Sequence, residues 1–68
     1  MGATEFGTTI ENRRKALGLG QEELAELAGV SVRFLRALEH GKVSVRLDKV
    51  FDVLDTLGLE VVVKVRQR

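Results

Sequence analysis

Two arginines three residues apart, Arg33 and Arg36, share a short stretch with Val32, Ala37 and His40. At helical spacing Leu35 and Leu38 turn one way and these residues turn the other. A face that is narrow, partly small and carries two guanidinium groups suits insertion between nucleic-acid backbones. Arginine can donate two parallel hydrogen bonds to a guanine edge in the major groove, while Val32 and Ala37 can meet thymine methyl groups. Arg33, near the start of the stretch, is the expected main base reader. Arg36 is expected to contact a base or, equally, a phosphate.

Other chemistry is poorly provided for. The chain has no cysteine and a single histidine, His40, which removes disulfides, thiolate sites and the usual zinc arrangements. There is no paired-carboxylate pocket, no nucleophile–base set and no phosphate-cradling glycine loop; the glycines stand singly at helix ends. The expectation is a non-enzyme with no metal and no cofactor.

The charge distribution favours an anionic partner more than the net charge of +1 does. Between Ser31 and Lys49 there are five basic residues (Arg33, Arg36, Lys42, Arg46, Lys49) and two acidic ones (Glu39, Asp48). Residues 21–30 carry Glu22, Glu23 and Glu26 and no base. One face positive and another acidic is enough for a phosphate footprint, although such clusters also occur as plain solvated surface.

These residues need elements to hold them. Thr8 or Thr9 is read as the cap of a first helix that runs from Ile10 to Leu17 and stops at Gly18. A second helix covers Gln21 to Ala28, with Leu24, Leu27 and Ala28 on the helical period and glutamates near its positive end. Ser31 caps a third, from Val32 to His40, ended by Gly41. After the loop of residues 42–45 a fourth runs from about Leu47 to Leu57, with Leu47, Val50, Phe51, Leu54 and Leu57 as its apolar stripe. No apolar run is long enough for a membrane span, and the opening residues lack the order of a signal peptide. A cytoplasmic protein is expected.

The second and third helices and their joint fit a helix-turn-helix at each position where geometry is demanding. Two helices meeting steeply approach closely near the corner, where Ala25 is small enough. The turn wants a residue comfortable at positive φ, and Gly29 provides it. Leu24, Ala28, Val30, Leu35 and Leu38 have the spacing to seal the inner faces. The alternative, a helical hairpin with no ligand, leaves the outward arginine face unexplained.

The end of the chain alternates differently. Leu59, Val61, Val63 and Val65 point to one side of an expected strand, and Glu60, Val62, Lys64 and Arg66 to the other. A lone strand leaves backbone groups unpaired, and no other strand is expected in the chain. A second copy related by a two-fold axis would complete an antiparallel ribbon and bury both valine rows; the alternative is a frayed tail. The expected organisation is a flexible segment 1–7, a helix-turn-helix domain 8–58, and a dimerisation strand with its tail, 59–68. A domain of 68 residues is small enough for dimerisation to matter to its stability.

From about Ile10 to Leu57 the chain resembles the lambda-repressor/Cro-like (Xre) helix-turn-helix family. It is most similar to the HipB-like antitoxin branch, through GLGQEELAELAGVSVRFLRALEHGK and then VRLDKVFDVLDTLGLEV. The resemblance implies a mainly α bundle of four or five helices, a two-fold homodimer and a palindromic double-stranded DNA operator. In the HipB-like branch a C-terminal strand pairs across the dimer, and the partner is a HipA-like kinase toxin. The family's phosphate-contacting glutamine falls on Gln21, its base-reading positions on Val32, Arg33 and Ala37, and further backbone contacts on Ser31, His40 and Lys42. A structural arginine–glutamate pair linking the first and third helices falls on Arg14 and Glu39. The sequence departs from the pattern at Gly20, where a Thr or Ser cap is usual, and at Val32, where a polar reader is common.

The resulting expectation is a sequence-specific repressor that doubles as the antitoxin of a HipBA-like pair. A free-standing dimeric repressor and an interaction module that has lost DNA binding are the alternatives.

Overall fold

The computed structural model describes residues 2–42 and 44–66. Four helices follow in order: α1 (Ala3–Ala16), α2 (Gln21–Ala28), α3 (Val32–Glu39) and α4 (Leu47–Leu57). Val43 of the expected loop, and Gln67 and Arg68 of the expected tail, lie outside the described residues.

The first helix begins earlier than its sequence suggests, and it takes in most of the segment expected to be flexible. Thr8 and Thr9 lie inside α1, their hydroxyls donating to the Thr4 and Glu5 carbonyls at 2.9 Å. A helical threonine satisfies its hydroxyl in this way when no cap is needed. What extends α1 is tertiary packing. Phe6 lies against the core, and Gly7 is buried against the end of α3, where a Cβ would come within 2.5 Å of the Leu38 and Glu39 carbonyl oxygens. Gly41 has φ of +87° and sits so close to Thr4 that a Cβ would come within 2.8 Å of its Cα. The two glycines let α1 and the end of α3 meet backbone to backbone.

At α2 the missing Ser or Thr cap is replaced from within the helix. Gly20 has no side chain to offer, but Glu23 reaches back and accepts its N–H at 2.9 Å, which is the carboxylate half of a capping box. The helix ends on Gly29 at φ 73°, with Val30 N–H donating to the Ala25 carbonyl at 3.0 Å, the closing bond of a Schellman turn. The same bond recurs after α4, where Leu59 N–H donates to the Leu54 carbonyl at 2.9 Å. Ser31 caps α3 by accepting the Phe34 N–H at 2.9 Å.

Ile10, Leu24, Ala25, Leu35, Leu38, Val50, Val53, Leu54 and Leu57 form the core, closed by Val30. The buried stripe of α4 is rotated from the expected one. Val53 is fully buried, whereas Leu47 and Phe51 are 62% and 44% exposed. Both sets fit a helical period, and contact with α2 and α1 selects Val50, Val53, Leu54 and Leu57. Leu27, expected inward on α2, is 65% exposed.

Residues 59–66 form neither helix nor strand within the single chain. A ladder needs a second extended segment, and the other described elements are all helical. Leu59 packs against the core, while Val61 is about half exposed and Val63 and Val65 are 91% exposed. No helix among the described residues is long and apolar enough to cross a membrane.

Candidate nucleic-acid interface

α2 packs against α3, and Ala25 of α2 is buried in the shared core. The αL turn at Gly29 and the Ser31 cap then aim α3 away from α2. Leu35, Leu38 and Glu39 face inward; Arg33, Arg36 and His40 are exposed.

A polar chain runs from the interior to that outer face. Arg14 of α1 donates from Nε and Nη2 to the two carboxylate oxygens of Glu39, at 2.8 and 3.0 Å, and from Nη1 to the Leu19 carbonyl at 2.8 Å. The side chains are 8% and 1% exposed. The hydrogen bond to Glu39 raises the Arg14 pKa above its ordinary value, although burial opposes it, so the guanidinium is permanently charged. Glu39 Oε1 also accepts from Gln21 Nε2 at 3.0 Å, and Gln21 Oε1 accepts from Arg36 Nε at 3.2 Å.

Beside α3 lies an open groove. Ser31, Arg33, Phe34 and Ala37 form one wall; Lys42, Ser44, Val45 and Arg46 of the following loop, with Lys49 of α4, form the other. The groove therefore carries basic side chains from α3, the loop and α4. Arg46 donates to both oxygens of Asp48 at 3.2 and 2.7 Å. That contact holds the Asp48 carboxyl below the usual carboxylate range and partly offsets the Arg46 charge. Cations on both walls suit a strand of phosphates running beside the helix.

The helix-turn-helix model HTH_3 matches residues 10–63. The chain belongs to the HTH_3 helix-turn-helix family. Two relatives are described as uncharacterised HTH-type transcriptional regulators. One, y4mF of Sinorhizobium fredii, is 42% identical over 57 residues, covering 84% of this chain and 75% of the relative. The other, from Methanothermobacter thermautotrophicus, is 45% identical over 53 residues, covering 78% and 77%. Among solved structures, the restriction-modification controller protein C.AhdI of Aeromonas hydrophila is 31% identical, with a TM-score of 0.76 over 85% of this chain and 84% of that one. A chain of a HipA-HipB-O2-O3 complex has a TM-score of 0.87 at 21% identity, over 98% and 94%; at that identity the likeness is one of fold.

In this HTH_3 chain most of the residues expected to touch DNA fall into two groups, with Val32 and His40 outside both. Ser31, Arg33, Ala37 and Lys42 come together in the groove. Gln21 and Arg36 meet each other on the other side of α3, at the end of the polar chain. Val32 is half-buried and packs against the core, so its reach toward a base is shorter than a free side chain's. His40 is exposed at the C-terminal end of α3, outside the groove lining. Ser31 already accepts a backbone bond, which leaves its hydroxyl hydrogen free to donate. Arg46 and Lys49, which the sequence offers only as part of the excess of bases between Ser31 and Lys49, line the same groove, as does Ser44, which no sequence signal marks.

Proposed function

We propose that this HTH_3 protein is a sequence-specific transcriptional repressor that binds a palindromic duplex as a two-fold homodimer. The observation that carries the reading is the groove beside α3, where Arg33, Lys42, Arg46 and Lys49 converge. Arg33 is the principal base reader and Ala37 faces a thymine methyl. Ser31, Lys42, Arg46, Lys49 and the helix-start Gln21 hold the phosphates, with His40 at the far end of α3. Each phosphate neutralised releases counterions and adds affinity irrespective of sequence.

Two such helices must be held about one helical turn of DNA apart to read two half-sites. The exposed Val63 and Val65, with Val61 and Leu59 in the same alternation, support an antiparallel ribbon between two copies over residues 59–65. A cytoplasmic protein acting on its own operon accounts for these features. The finer reading is an antitoxin that also binds a HipA-like kinase toxin; the fold likeness to a chain of the HipA-HipB complex supports it. The second reading, a free-standing repressor, is favoured by the likeness to C.AhdI, described as a restriction-modification controller.

Selection from a random duplex pool tests the main reading. Enrichment of an inverted repeat, bound by two chains per duplex, is the expected outcome; a pool without a common motif contradicts it. Affinity capture from the source cell then separates the finer readings. A stoichiometric kinase-like partner supports the antitoxin, and recovery of the chain and DNA alone supports the free-standing repressor.

A further inference from the structure

Gln21 occupies the first position of α2 with both ends of its amide committed. Glu39 is an acceptor, so it must be faced by the NH2 group; Arg36 is a donor, so it must be faced by the oxygen. The two contacts, 3.0 and 3.2 Å, therefore admit only one orientation of the amide. In that orientation the second amide hydrogen of Gln21 is left to donate. The α2 N-terminus around it presents backbone N–H groups of the same sense, because the first N–H groups of a helix have no partner within it. An acceptor-only phosphate oxygen is the complement of both.

Arg36 thus has a different situation from Arg33. Its Nε is spent on Gln21, and through Gln21 and Glu39 it joins the buried Arg14. We infer that Arg36 is a positioning residue: it fixes the Gln21 amide as a phosphate donor and ties the backbone grip of α2 to the reading register of α3, and it does not itself choose a base. This rests on the reading of the chain as a DNA-binding protein. The link crosses from one helix of the motif to the other, so a shift of α3 along the groove would carry the α2 phosphate contact with it. The chain gains register without a polar residue at Val32, which is half-buried and has no hydrogen-bonding group to supply such a link.

The test is a double-mutant cycle on the selected duplex, with Arg36→Ala, Gln21→Ala and the double variant of the full chain. Each single substitution is expected to weaken binding roughly tenfold, and the double to be no more than about twofold weaker than the worse single. Repeating the selection with Arg36→Ala should return the natural base preference at every position. Costs that multiply, or a preference lost at one base pair, would overturn the inference and make Arg36 a direct contact. A readout without DNA comes from the side-chain amide resonances of Gln21, which should shift in Arg36→Ala; unchanged resonances would also overturn it. If the natural chain selects no sequence, the DNA-binding reading fails, and the amide resonances still decide whether Arg36 sets Gln21.

Discussion

Arg14 and Glu39 meet through two parallel hydrogen bonds of 2.8 and 3.0 Å, and neither side chain is more than 8% exposed. One belongs to α1 and the other ends α3, so the pair fixes α3 against the rest of the bundle. Breaking such a pair from one side leaves a buried charge without a partner, which costs more than the pair itself contributes. Glu39→Ala is expected to destabilise the chain by about 3 kcal/mol in urea unfolding. Replacing both residues by apolar ones of similar size, Arg14→Met with Glu39→Leu, should recover most of that loss. A single variant as stable as the natural chain would show that the pair does not hold α3.

Gly7 marks a second place where α1 touches α3, this time without side chains. An alanine there would gain about 1 kcal/mol in helix propensity. Its Cβ would also meet two backbone oxygens at 2.5 Å, and backbone cannot swing aside as a flexible side chain can. Gly7→Ala should be destabilising by about 1–3 kcal/mol, read as a lowered urea midpoint at unchanged slope. A raised midpoint would mean that α1 does not run along the end of α3.

The rotated stripe of α4 gives a direct comparison. Val53 is fully buried and Leu47 is 62% exposed. Val53→Ala should cost about 2 kcal/mol, from two lost methyl groups and the cavity they leave. Leu47→Ala should cost under about 1 kcal/mol. The reverse order would restore the stripe expected from the sequence.

That stripe shows where the sequence was legible and where it was not. The joint of α2 and α3 could be read because Ala25, Gly29 and Ser31 each answer a local steric or hydrogen-bonding demand. α4 was ambiguous because valine at position 53 and phenylalanine at position 51 both fit a helical period, and only the neighbouring helices choose between them. The start of α1 was hidden for a related reason: Thr8 and Thr9 have the chemistry of caps, and Gly7 resembles a break until α3 is beside it. In the site, Arg33 was visible on its own helix. Its grouping with Arg46 and Lys49 depends on how the chain returns from α3 to α4, which no local pattern encodes.

Asp48 is the acidic residue that restrains the groove, through its contact with Arg46. Its carboxyl is held below the ordinary range by the Arg46 hydrogen bond, so it stays ionised across neutral pH. Duplex affinity should therefore not depend on this group between about pH 6 and 8. Asp48→Asn removes the charge outright and is expected to strengthen binding to all duplexes and steepen the salt dependence. Weaker binding would show that Asp48 orients Arg46 more than it neutralises it.

If α3 reads bases while the facing loop and α4 hold phosphates, Arg33 and Lys49 differ in kind, and duplex selection with salt titration of Arg33→Ala and Lys49→Ala separates them. Arg33→Ala should lose about 1–3 kcal/mol and relax the preference at one base pair of each half-site. Lys49→Ala should weaken all sequences alike and reduce the salt slope by about one phosphate contact per chain, roughly 0.9. An Arg33→Ala protein that keeps both its affinity and its full base preference would contradict the account.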